Sequence, residues 1–133
     1  MKVLVDTSCW IAAFRNENSF EASIIQNLLH ENLAVTCSLV IAELLRGATS
    51  ALEELFIKRE FMELPLLLGL DDLGMKIGML GVQVRKKGLS PGTIDLALSA
   101  LAIEHDCFIY SLDQHFKIIS KYSDLKLFES HKH

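Results

Sequence analysis

Two kinds of apolar patterning alternate along this chain, and the alternation constrains the fold more than any other feature. Short unbroken runs at Lys2 to Val5, Ala34 to Cys37 and Cys107 to Tyr110 suit strands buried on both faces, and Lys126 to Phe128 suits a final strand. Between them lie stretches with helical spacing. Phe20 to His30 puts Ala22, Ile25, Leu28 and Leu29 on one face behind a Ser19 cap. Ser38 is expected to cap a helix through Leu45 that stops at Gly47, and Leu52 to Phe61 is helical again. Asp71 or Asp72 opens a helix to about Lys87 that ends at Gly88. After Ser90-Pro91-Gly92, Thr93 caps a helix from Ile94 to His105, and Asp113 to Lys121 is a short one. Glu63 to Leu67 is a further strand candidate, weakened by Pro65.

Strands alternating with helices imply a parallel sheet covered on both faces and joined by right-handed crossovers. The expectation is a three-layer α/β/α sandwich of about five strands, forming one domain over residues 1–133. Half the residues are hydrophobic, enough for a core that closes without disulfides. Cys9, Cys37 and Cys107 are odd in number and widely spaced, which excludes a disulfide framework or a zinc knuckle and fits a reducing cytoplasm. No apolar run has the length of a membrane span. The net charge of -4 gives no global attraction for nucleic acid, unless bound cations reverse the sign locally.

In parallel sheets, ligands bind where strands end and turn into helices. Asp6 follows the first strand directly, and Asp113 comes three residues after Tyr110 closes a later one. Glu43 lies one turn inside a helix that starts at the same edge, among Val40-Ile41-Ala42 and Leu44-Leu45. Asp95 is the one acid of Ile94 to Ala102, a segment so apolar all round that it should be central. Each acid alone has a structural explanation: Asp6 a turn residue, Asp113 an N-cap, Asp95 a partner of the helix dipole. Their conjunction is what demands another account.

Clustered carboxylates repel by roughly 3 kcal/mol per pair at about 5 Å and an effective dielectric near 20. Oxygen donors suit a hard ion, Mg²⁺ or Mn²⁺, that offsets this repulsion and supports phosphodiester hydrolysis. Asp6 and Asp95 are the expected central metal ligands. Asp113 completes or bridges a second site, and Glu43 holds a second ion or orients the attacking water. Thr7, Ser8, Ser38 and Ser111 offer hydroxyls at this edge, as caps or as substrate contacts.

The chain resembles the PIN-domain nucleases, and in size and layout the VapC-like toxins of bacterial and archaeal toxin-antitoxin pairs. The matching pieces are Val3-Leu4-Val5-Asp6-Thr7-Ser8, Ile41-Ala42-Glu43-Leu44-Leu45-Arg46-Gly47, Asp95 leading an alanine-rich helix, and Ser111-Leu112-Asp113-Gln114-His115-Phe116. The resemblance implies an endoribonuclease that uses Mg²⁺ or Mn²⁺, forms a homodimer and is inhibited by a small antitoxin protein. Ser111 departs from the usual threonine, and Pro91-Gly92 alters the loop before Asp95.

Three alternatives bear on this reading. A haloacid dehalogenase-type phosphatase also has an Asp after its first strand but needs a second Asp two residues on, where Ser8 stands. A receiver domain lacks its acidic pair here. An RNA- or protein-binding module with no catalytic activity would leave four acids without a task. Arg46 and Arg85-Lys86-Lys87 are either phosphate contacts or solvated helix ends. Gly74 to Val84 carries apolar residues on more than one face, a surface for a dimer or for packing within one subunit. His115 is read as a surface or packing residue, with assistance to substrate binding as the alternative.

Overall fold

The computed structural model describes residues 1–129. Its elements run β1 (Val3–Val5), α1 (Thr7–Arg15), α2 (Phe20–His30), β2 (Ala34–Val35), α3 (Ser38–Arg46), α4 (Ala51–Met62), α5 (Leu73–Arg85), α6 (Thr93–Glu104), β3 (Phe108–Tyr110), α7 (Gln114–Lys121) and β4 (Lys126–Leu127). All strand pairs are parallel, in the order β2-β1-β3-β4. Val3, Leu4 and Val5 pair with Phe108, Ile109 and Tyr110, which makes β1 and β3 the central strands. Every residue of β1 is buried, as expected of a strand covered on both faces.

The sheet has four strands rather than about five. Of Glu63 to Leu67, only Leu66 pairs with the sheet, as an isolated parallel bridge to Thr36 beyond β2. Pro65 has no N–H to donate, and it takes part through its carbonyl alone, accepting from Thr36 N at 3.0 Å. A position at the outer edge tolerates this, and extension into a strand does not follow.

Helix α1 packs against both α2 and α3, and α3 against α4, while α5, α6 and α7 contact one another in succession. The chain moves outward from β1 through β2 to Leu66 and then returns across the sheet to β3 and β4. Right-handed crossovers therefore put the first group on one face and the second on the other. This is the expected α/β/α sandwich. At the carboxyl ends of β1 and β3 the following helices diverge to opposite faces, which opens a crevice there.

Helix α1 starts at Thr7 with no intervening turn, so Asp6 stands at its N-cap position in extended conformation. Two caps lie one residue earlier than the sequence suggests. Cys37, not Ser38, occupies the N-cap position of α3, and Gly92, not Thr93, that of α6. Gly88 has φ 81°, the left-handed conformation expected just past a helix end. Of the α5 glycines, only Gly81 meets a neighbouring helix: a Cβ there would lie 3.2 Å from the Leu96 side chain of α6. At Gly74 and Gly78 it would meet open space.

Candidate active site

Hydroxyls bridge the carboxyl ends of β1 and β3. Asp6 N donates to Tyr110 O at 2.9 Å, which carries the ladder one residue past β1 and brings Asp6 against the β3–α7 loop. Asp6 is 8% exposed. Its Oδ2 accepts from Ser8 Oγ at 2.8 Å and from Ser111 Oγ at 2.7 Å. Each hydroxyl also accepts a backbone proton, Ser8 from Leu112 N at 3.1 Å and Ser111 from Asp113 N at 2.9 Å. Two donors thus fix one carboxylate oxygen, and the same atoms hold the loop that carries Asp113.

Asp113 caps α7, accepting from His115 N at 2.9 Å, so the capping role is real. It does not exhaust the residue. Asp113 and Asp95, the latter from the first turn of α6, converge on His115: its Nδ1 lies 3.0 Å from Asp95 Oδ2 and 3.4 Å from Asp113 Oδ1. Ligand atoms of Asp95, Asp113 and His115 all lie within 4.8 Å of one another. Glu43 reaches the edge from α3, and its Oε1 accepts from Thr7 Oγ1 at 3.0 Å.

The cost of gathering acids is visible at Asp95. Burial pushes its carboxyl above the ordinary carboxylate value, and the charges of Asp113 and Asp6 add to this, while the hydrogen bond from His115 opposes it. A divalent cation would offset all three adverse effects. The donor set fits one: carboxylates suit a hard octahedral ion, and an imidazole extends the choice to first-row transition ions.

All four sequence-predicted acids therefore lie at one edge, but not as an equal quartet. Asp95 and Asp113 form the tight group, Asp6 adjoins it through Ser111, and Glu43 joins through α1. Thr7, Ser8 and Ser111 are engaged with carboxylates. Ser38 opens α3 on the exposed side, and among the described residues no hydrogen bond links it to the acids. Sequence reasoning missed His115 as their companion; the signal available was its place two residues after an Asp at a helix start. Arg46 and Arg85-Lys86-Lys87 are exposed, with Lys87 Nζ 5.8 Å from the centre of the Tyr122 ring. Pro91 and Ser90 line a depression beside His115, so the altered loop does border the site.

The PIN domain family model matches residues 3–122. Ribonuclease VapC11 of Mycobacterium tuberculosis is 30% identical over 129 residues, spanning 93% of this chain and 96% of its own. VapBC2 from Rickettsia felis, solved bound to a DNA fragment from their promoter, superposes with a TM-score of 0.79 at 20% identity over 96% of this chain and 98% of that one. VapBC-1 from nontypeable Haemophilus influenzae gives 0.77 at 19% identity over 97% and 98%. At these identities the two structures speak for the fold.

Proposed function

Because this chain belongs to the PIN-domain family, we propose that it is a metal-dependent endoribonuclease acting as the toxin of a toxin-antitoxin pair. The observation that carries the proposal is the close approach of Asp95 and Asp113 around His115, with Asp6 tied to the same loop through Ser111 and Glu43 held beside Asp6 by Thr7. The kinship with a VapC ribonuclease supports the same reading.

Asp95, Asp113 and Asp6 are the residues that would hold Mg²⁺ or Mn²⁺, with Glu43 holding a second ion or orienting a water. When bound, the ion supplies an activated water, a grip on the scissile phosphate and charge stabilisation for the leaving oxygen. The protein's own part is orientation. Ser8 and Ser111 fix Asp6, Thr7 fixes Glu43, and Ser38 stays open toward a substrate. The net charge of -4 then has a consequence: RNA phosphates are attracted through the cation and through exposed Arg46 and Arg85-Lys86-Lys87, not by the protein's overall field.

The partners in this reading are an RNA substrate, a small antitoxin protein and a second copy of the chain. Met75 and Met79, 72% and 59% exposed on α5, suit the homodimer contact. Among the described residues no helix is long and apolar enough to cross a membrane, and a cytoplasmic location fits the substrate and the free cysteines.

The test is brief expression of the chain without an antitoxin, followed by sequencing of RNA 5′ ends. New ends at a small number of sites are expected with the wild type and absent with Asp6→Asn or Asp95→Asn. Identical end profiles for wild type and both variants would refute the assignment.

A further inference from the structure

We propose that His115 is a nitrogen ligand of the ion held by Asp95 and Asp113, making the centre a mixed carboxylate and imidazole site that favours first-row transition ions over Mg²⁺. The inference rests on the reading of this cluster as a metal centre, and it adds a donor that the four acids do not supply.

The heavy atoms need no rearrangement; the proton that Nδ1 shares with Asp95 would be lost to solvent, or carried on Nε2 instead, when the ion binds. Two donors in neighbouring positions of an octahedron with bonds of about 2.1 Å are about 3.0 Å apart. His115 Nδ1 stands 3.0 Å from Asp95 Oδ2 and 3.4 Å from Asp113 Oδ1, so it already occupies the position of a third donor. The ring and the Asp113 carboxylate also form one unit. His115 N donates to Asp113 Oδ1 at 2.9 Å across the first turn of α7, and the next residue, Phe116, is 1% exposed and anchors that turn in the core.

Packing does not account for the ring's placement. The His115 side chain is 55% exposed, and its polar contacts among the described residues are all to Asp95 and Asp113. A histidine seeking only solvent would leave the cluster. Imidazole is a softer donor than carboxylate: transition ions accept it readily, whereas Mg²⁺ keeps to oxygen. One side chain thereby sets which ion the centre prefers.

The experiment uses metal-stripped, tag-free full-length protein loaded with Mn²⁺ and read by electron spin-echo envelope modulation, with Mn²⁺ and Mg²⁺ titrations alongside. Wild type is expected to give the modulation of a directly bound ¹⁴N, lost in both His115→Ala and His115→Gln. Binding of Mn²⁺ should weaken on the order of tenfold in His115→Ala, with Mg²⁺ affinity changed less than about twofold, so the preference between the ions narrows. His115→Gln, which returns an oxygen donor, should recover part of the Mn²⁺ affinity without the nitrogen signal. If Mn²⁺ binds wild type with no nitrogen modulation, or binds His115→Ala as tightly or more tightly, the ring is not a ligand and the inference falls while the metal centre stands. If Mn²⁺ does not bind wild type, the metal-centre reading fails and takes this inference with it.

Discussion

The Ser111 hydroxyl donates a 2.7 Å hydrogen bond to Asp6 Oδ2 across 105 residues of sequence, tying the end of β3 to the end of β1. Because Ser111 Oγ in turn accepts from Asp113 N, one side chain sets the relative position of two carboxylates. Hydrogen bonds to a charged group are worth about 1.5–3 kcal/mol, and Ser8 remains as a second donor. Ser111→Ala should therefore fold, melt a few degrees lower and cleave about tenfold more slowly. Ser111→Thr keeps the hydroxyl and should retain most of the rate. Equal rates for wild type and Ser111→Ala would show that the Asp6 carboxylate needs no such support.

Glu43 is held by Thr7 at 3.0 Å, and the two variants that separate charge from position should differ in kind. Glu43→Gln keeps an acceptor for the Thr7 hydroxyl and should leave the melting temperature unchanged while lowering turnover about a hundredfold. Thr7→Val preserves shape but frees Glu43, and should lose about tenfold in rate. Paired cleavage and melting measurements decide this. A larger loss from Thr7→Val than from Glu43→Gln would assign the chemistry to the hydroxyl instead.

Asp95 makes a prediction about stability whose sign runs against its importance for activity. Its carboxyl is raised by burial and by neighbouring acids, so the folded state holds the proton more tightly than the unfolded chain does. Stability is then lost as pH rises from the ordinary carboxylate value to the raised one, and the full penalty remains at neutral pH. In chelator at pH 7, Asp95→Asn should melt at or above wild type, although it is expected not to cleave. The difference should close at about pH 3 and below, where the carboxyl is protonated in both states. Added Mn²⁺ should raise the melting temperature of wild type only. A lower melting temperature for Asp95→Asn at pH 7 would contradict the origin given for the shift.

Much of this arrangement was legible in the residues, and what was not has specific causes. Val3-Leu4-Val5 ends in Asp6, and the buried run Leu96 to Ala102 made Asp95 conspicuous, because strand ends and all-apolar helices are local patterns. The order of strands is not local. Ser8 is a local partner of Asp6, but Ser111 became one only because Val5 pairs with Tyr110, a neighbour relation that alternation alone does not specify. His115 was hidden for a related reason: its direction depends on how α7 is rotated over α6, which Phe116 fixes from within the core. The reduced fifth strand and the shifted caps at Cys37 and Gly92 follow from backbone hydrogen bonding that residue types signal weakly.

The Cys9 thiol, buried in the core, is expected to contribute a pH dependence only in alkali. Burial, followed by the nearby Asp6 charge, pushes its thiol up to about 12. A raised folded value means stability is fully present below the ordinary thiol value and is lost as pH climbs from about 9 toward 12, by about 1.4 kcal/mol per pH unit for one group. Urea midpoints measured between pH 8 and 11 should fall less steeply for Cys9→Ala than for wild type. Parallel curves would place the alkaline loss elsewhere, for instance at Tyr110, which burial raises in the same direction.

The most direct test of the central claim is cleavage of a structured RNA by the purified chain, freed of any partner, with Mg²⁺ or Mn²⁺ and then with excess chelator. The account predicts strand scission with either ion, complete arrest by chelator, restoration when the ion is returned, and no scission by Asp6→Asn or Asp95→Asn preparations of equal helix content. Scission that continues in chelator, or that persists in either variant, would contradict it.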